Sequence, residues 1–170
     1  DALEETGRME DTMVIFTTDH GHMLGEKGVT GKNFWHAWNQ LAHIPLMVHL
    51  PGGVGAGERR TQVTQNVNVF NTVLEHHGIP FHHAVHGESM LPMIRANTPA
   101  KRPAALYGYF GQSTNITDGN HTYFRAPATG DNQPLYRYFL THSAYQQHDL
   151  YGKSFYDEAK LGPYLPYTNF

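Results

Sequence analysis

The chain has 170 residues, the size of one domain, with 39% hydrophobic and 12% aromatic residues, a content that supplies a core and excludes disorder. Its formal charge of −3 comes from 12 basic and 15 acidic side chains with no long basic stripe, which argues against nucleic acid as a partner. Cysteine is absent, so the chain holds neither a disulfide nor cysteine-ligated zinc; no apolar run reaches transmembrane length and no signal-peptide pattern is present.

The chain does not begin with Met, and Asp1 to Gly7 reads as the tail of a helix ending at a glycine, so the expectation is a piece of a longer protein. Met13-Val14-Ile15-Phe16 is a short run that is apolar on both faces, which suits a buried strand of a parallel sheet. Directly after it come Thr17-Thr18-Asp19-His20-Gly21, polar residues just past a strand end, where open α/β sheets place their active sites. Residues 21–33, with glycines at 21, 25, 28 and 31, are expected to form a loop, and 33–42 a short helix packed through Phe34, Trp35 and Trp38. Ile44 to Leu50 reads as a second strand, with Pro45 tolerated near its start and Pro51-Gly52-Gly53 closing it.

Apolar residues at 63, 67, 70, 73 and 74 predict a helix over 63–77 with one buried face, capped by Gly78 and stopped by Pro80. Residues 86–93 read as a loop followed by a helical turn. From about Pro99 the texture changes: 104–110, 113–117 and 122–125 are strand-like, with Asp118-Gly119-Asn120 a hairpin turn signal, giving a small antiparallel sheet. The last forty or so residues are rich in tyrosine and proline, with a loosely expected helix over 145–160.

Chemistry concentrates at Asp19, His20 and Lys32. A carboxylate and an imidazole side by side at a strand end can both reach one divalent cation, the oxygen suiting a hard ion and the nitrogen zinc or manganese. Gly21 would let the backbone pass close to a ligand. Alone, an Asp-His dipeptide in a loop is more often a turn with a cap. The thirteen histidines are mostly scattered, and packing or surface roles suffice for His22 and His36; His76 and His77 close a helix, where an imidazolium suits the dipole.

The wider pattern from Thr12 to Gly53 resembles the sulfatase family of the alkaline phosphatase superfamily. It carries an apolar strand, Thr18-Asp19-His20-Gly21, then Leu24-Gly25-Glu26-Lys27-Gly28, Lys32 in the next loop, and His43-Ile44-Pro45-Leu46 leading to Pro51-Gly52. Weaker likenesses follow in 65–80, in Gly87-Glu88-Ser89-Met90-Leu91-Pro92 and in 117–124. The resemblance implies that Asp19 and His20 are metal ligands and that Lys32 contacts the sulfate; Lys27 is the rival, standing where many relatives have histidine. It implies a divalent cation, calcium first, with manganese, magnesium or zinc as alternatives. A dication and an ammonium together would stabilise negative charge on the oxygens of the transferred group.

Asn68-Val69-Phe70-Asn71-Thr72 departs from the family's Asp and Pro-Thr in that helix, positions expected to be structural. The Cys/Ser-x-Pro/Ala-x-Arg motif that yields formylglycine is missing, as are the paired aspartates that complete the family's metal site. Two ligands hold a hard cation weakly. The isolated chain is therefore expected to be inactive, with formylglycine supplied by a missing N-terminal part.

The expected fold class is α/β: the C-terminal part of an alkaline-phosphatase-like parallel sheet over 1–98, followed by a small α+β subdomain over 99–170. The expected function is part of a sulfuric ester hydrolase. The alternatives are a phosphonate or phosphate monoester hydrolase of the same superfamily and a non-catalytic binding module derived from it. The expected partner is a small sulfate ester or sulfated carbohydrate, with no nucleic acid and no membrane; periplasmic, secreted and cytoplasmic locations all remain open. Tyr136, Tyr138, Tyr145, Tyr151 and Tyr156 could line a sugar pocket or simply pack, and the Asn115 and Asn120 sequons carry meaning only in a eukaryotic secreted protein.

Overall fold

The computed structural model describes residues 2–32, 36–82, 84–109, 111–130 and 132. These lie in one unit, Asp1–Asn132. The tyrosine-rich segment, the helix expected at 145–160, and Phe34 and Trp35 fall outside the described residues.

Helix α1, Ala2–Glu5, ends as its sequence requires: Gly7 adopts φ 67° while the Arg8 amide reaches back to the Leu3 carbonyl at 2.8 Å. The apolar run then forms strand β1, Val14–Thr17. It pairs with β4, Leu46–His49, in the register Val14↔His49 to Thr17↔Leu46. The pairing is antiparallel, whereas β1 was expected in a parallel sheet. Nor is the strand buried on both sides. Phe16 and Met47, opposite one another and on one face, are 57% and 59% exposed.

The glycine-rich loop holds more order than its composition indicates, since β2 (Met23–Leu24) and β3 (Thr30–Gly31) form a minimal hairpin inside it. Its inward side chain, Met23, is fully buried. Helix α2 is shorter than expected, a single turn over Asn39–Ala42 that buries Leu41.

Helix α3 spans Val67–His76 and ends at His77 and Gly78, the latter at φ 63°. Its apolar residues do not form the buried face that their spacing predicts: Val67 and Phe70 are each 49% exposed, although Phe70 meets Phe81 edge to face at 5.0 Å. The buried positions are polar. The Thr72 hydroxyl donates to the Asn68 carbonyl at 2.7 Å and accepts the Met90 amide at 2.9 Å, while Asn68 Oδ1 accepts from the Glu88 amide at 3.3 Å. Asn68, one of the positions that depart from the family's helix motif, and Thr72 therefore hold the 88–90 segment, and with it α4 (Leu91–Ala96), against α3. Arg60, which no sequence signal marks, donates to the Met93 and Ile94 carbonyls near the C-terminal end of α4, where a cation is favoured.

The third sheet is the expected one. Strands β5 (Ala105–Gly108), β6 (Thr114–Thr117) and β7 (Thr122–Arg125) form an antiparallel meander in that order. The Asp118 carboxylate accepts the Asn120 and His121 amides and closes the hairpin turn. Asn115 is buried on the inner face of β6, whereas Asn120 stands exposed in the turn.

Candidate active site

The site is built where β1 ends. Thr18 leaves the strand with its hydroxyl 3.3 Å from Asp19 Oδ1 and 3.2 Å from the His20 carbonyl, and the His20 amide donates to the same Asp19 oxygen at 3.0 Å. One carboxylate oxygen of Asp19 is thus engaged locally. The other, Oδ2, faces outward 3.3 Å from His20 Nε2, on a side chain that is 81% exposed.

The His20 ring is oriented by a second contact. Nδ1 lies 2.8 Å from the Gly21 carbonyl oxygen, which can only accept, so Nδ1 carries the hydrogen. In the neutral ring that leaves a lone pair on Nε2, the form in which imidazole binds a metal. Lys32 Nζ sits 2.8 Å from Nε2 and donates to it. The three residues singled out in the sequence therefore meet at one point, brought together by the β2–β3 hairpin, which carries Lys32 back toward the end of β1 just past Gly31.

Burial pushes the Asp19 carboxyl upward, but the His20 amide, the His20 imidazole and the Thr18 hydroxyl outweigh it and hold the group below its ordinary value. Asp19 is accordingly an anion over the physiological range, ready to face a cation.

The glycine of the motif has a different task from the one expected. A Cβ on Gly21 would lie 1.8 Å from the Gln40 carbonyl oxygen, and the Gly21 amide donates to the Leu41 carbonyl at 2.9 Å. Gly21 admits the backbone of α2 rather than a ligand, and so fixes the loop that carries His20.

Around this point lie partners that sequence reasoning missed. Asn66, at the start of α3, does not cap its helix; its side-chain amide donates to the Thr18 carbonyl at 3.0 Å. Its neighbour Gln65 accepts the Leu106 amide from β5, and the Tyr109 hydroxyl, just beyond β5, donates to the Lys32 carbonyl. Lys27 adopts φ 57° in an exposed turn, and among the described residues no hydrogen bond or ion pair joins it to Asp19 or His20. His36 packs its ring against Trp38 and Phe124, both at 5.7 Å, and His22 is exposed.

As a metal site the pair is incomplete. It offers one hard oxygen and one imidazole nitrogen within reach of a common ion. Among the described residues no group of three or more His, Cys, Asp or Glu side chains stands together. A surface depression lies beside α3 and α4, lined by residues such as Val63, Asn68, Met93 and Lys101.

Residues 1–79 match the family model described as Sulfatase. The chain is 31% identical over 111 residues to an N-acetylglucosamine-6-O-sulfatase of Bacteroides thetaiotaomicron, covering 64% of this chain and 20% of that protein. It is 34% identical over 109 residues to PehA, a multifunctional alkaline phosphatase superfamily protein of Trinickia caryophylli, covering 64% and 21%. A choline-sulfatase of Rhizobium meliloti is 36% identical over 98 residues, covering 55% and 18%. The chain thus spans about a fifth of the length of these curated relatives. Among solved structures, that of BT4656 in complex with its substrate D-glucosamine-2-N,6-O-disulfate superposes with a TM-score of 0.67 at 26% identity, over 76% of this chain and 28% of that one. The mixed helices and sheets are therefore those of an α/β, alkaline-phosphatase-like fold.

Proposed function

We propose, for a chain that belongs to the sulfatase family of the alkaline phosphatase superfamily, that it contributes one wall of a sulfate-ester hydrolase active site. The observation that carries this reading is the meeting of Asp19, His20 and Lys32. Asp19 Oδ2 and His20 Nε2 would hold a divalent cation, calcium before manganese, magnesium or zinc, and that ion would supply positive charge to the oxygens of the scissile group. Lys32 supplies a second positive charge from its own loop. Its ammonium donates to an electron-rich atom in front of it, and a sulfate oxygen, whose charge grows as the ester bond breaks, is such an atom.

The remaining ligands and a formylglycine nucleophile belong to residues outside this chain, which alone is inactive and holds metal weakly. The uncovered Phe16–Met47 pair and the exposed row Leu106, Ile116 and Tyr123 support a chain that packs within a larger fold.

A sulfated amino sugar is the first substrate class to test, given the named activity of the Bacteroides relative and the ligand of BT4656. A phosphate or phosphonate monoester is the second, because the likeness to PehA lies over a comparable length and an ammonium beside a cation serves either tetrahedral oxyanion. Turnover of the full-length protein on sulfated glucosamine, aryl sulfate, choline sulfate and phosphate esters discriminates between them. Replacing Lys32 by Ala is expected to lower kcat/KM on the preferred ester by roughly a hundredfold or more; a near-normal rate would remove Lys32 from the chemistry.

A further inference from the structure

The ties around the site close a ring. Starting from Thr18, its carbonyl accepts from Asn66, and the adjacent Gln65 accepts the Leu106 amide. Strand β5 then leads to Tyr109, whose hydroxyl donates to the Lys32 carbonyl. Lys32 in turn donates to His20, which is bonded through Asp19 back to Thr18. The third β-sheet thus reaches into the site through one phenol, 77 residues away in sequence from the loop it grips.

We propose that Tyr109 is a positioning residue for Lys32, an inference that rests on the sulfatase reading of the site. The physical argument concerns which part of the lysine is held. Lys32 follows the last residue of β3, and its carbonyl lies outside the two-residue ladder that joins β2 to β3. Without a further partner the backbone at this point could shift by ångströms, and a four-carbon side chain would carry that shift to its ammonium. The Tyr109 hydroxyl fixes the carbonyl and leaves Nζ free to change partner by side-chain rotation alone. The ammonium can then leave His20 Nε2 for a substrate oxygen while its Cα stays in place. Placing a charge to within a fraction of an ångström is what such stabilisation needs.

The proposal also gives the antiparallel sheet a role. Its edge strand β5 is docked by Gln65, and the inner face of β7 bears on the His36 ring through Phe124. Both contacts hold the stem from which Tyr109 extends.

The test is a double-mutant cycle in the full-length enzyme on its preferred ester. Tyr109→Phe removes only the hydroxyl and keeps the ring. It is expected to lower kcat/KM by roughly three- to tenfold, the worth of one hydrogen bond, and to weaken competitive inhibition by inorganic sulfate by a similar factor. The inhibition constant does not depend on the fraction of enzyme folded, so a merely structural loss would leave it unchanged. In a Lys32→Ala background the same substitution is expected to have no further effect, because the group it positions is gone. An unchanged kcat/KM in Tyr109→Phe, or the same loss repeated in the Lys32→Ala background, would overturn this inference and leave the sulfatase reading intact. Near-normal turnover in Lys32→Ala alone would remove Lys32 from the chemistry, and the role of Tyr109 with it, whereas a parent that hydrolyses no sulfate ester would overturn the sulfatase reading.

Discussion

Lys32 Nζ and His20 Nε2 stand 2.8 Å apart, an amine donor against a lone pair. The same lone pair is the one a divalent ion would take, so the ammonium and the metal exclude one another at Nε2. Replacing Lys32 by Ala removes both a competitor and a like charge. The variant is expected to bind calcium several-fold more tightly, with roughly the modest size of a screened surface interaction, while turnover falls. Calorimetric titration of chelated full-length protein measures the first effect; unchanged or weaker binding would mean that the lysine does not guard the metal position.

Gly21 sits in the motif for a reason of packing. An added Cβ would fall 1.8 Å from a backbone oxygen of Gln40, which cannot move aside as a side chain can. Gly21→Ala is expected to cost about 3 kcal/mol or more in stability, at the severe end of overpacking, and to lower the melting temperature markedly. A melting curve superimposable on the parent's would show that α2 does not bear on the site loop.

The hairpin turn at Asp118 gives an acid-sensitive element. Hydrogen bonds from the His121 and Asn120 amides, with His121 nearby, lower the Asp118 carboxyl from 3.8 to about 2. A folded value below the unfolded one means that the turn is fully stabilised above pH 3.8 and loses that stabilisation as pH falls through about 2. Asp118→Ala is therefore expected to melt earlier than the parent near neutral pH and to match it at and below about pH 2. An equal difference at both pH values would assign the effect to something other than the ionised carboxylate.

The sequence made the parts of this molecule readable better than their assembly. The apolar run 13–16, the cap at Gly78 and the Asp118-Gly119-Asn120 turn each carry a local signal, and each appears as β1, the end of α3 and the β6–β7 turn. Pairing direction carries no local signal, and β1 and β4 turned out antiparallel. The β2–β3 hairpin was invisible because strands of two residues have no period to detect. Helix α3 misled in a different way. Its spacing of Val67, Phe70 and Val73 predicted a buried apolar face, but Val67 and Phe70 are half exposed; the groups that lock it into the unit are Asn68 and Thr72, and their hydrogen-bond partners lie 18–20 residues downstream.

The site divides in the same manner. Asp19, His20 and Lys32 were legible because the family pattern runs continuously through them, and the hairpin that unites them is local. Asn66, Gln65 and Tyr109 were not, since each acts over a separation of 41 to 77 residues and none has an unusual sequence context.

The central claim is that Asp19 and His20 share one cation in a working hydrolase. The most direct measurement is turnover of the chelated full-length enzyme as calcium is returned, in the parent, Asp19→Ala and His20→Ala. Activity is expected to recover at a calcium concentration roughly ten- to a hundredfold higher in each variant, with folding intact by melting. Recovery along one curve for all three proteins, or full activity with no ion present, would contradict the account.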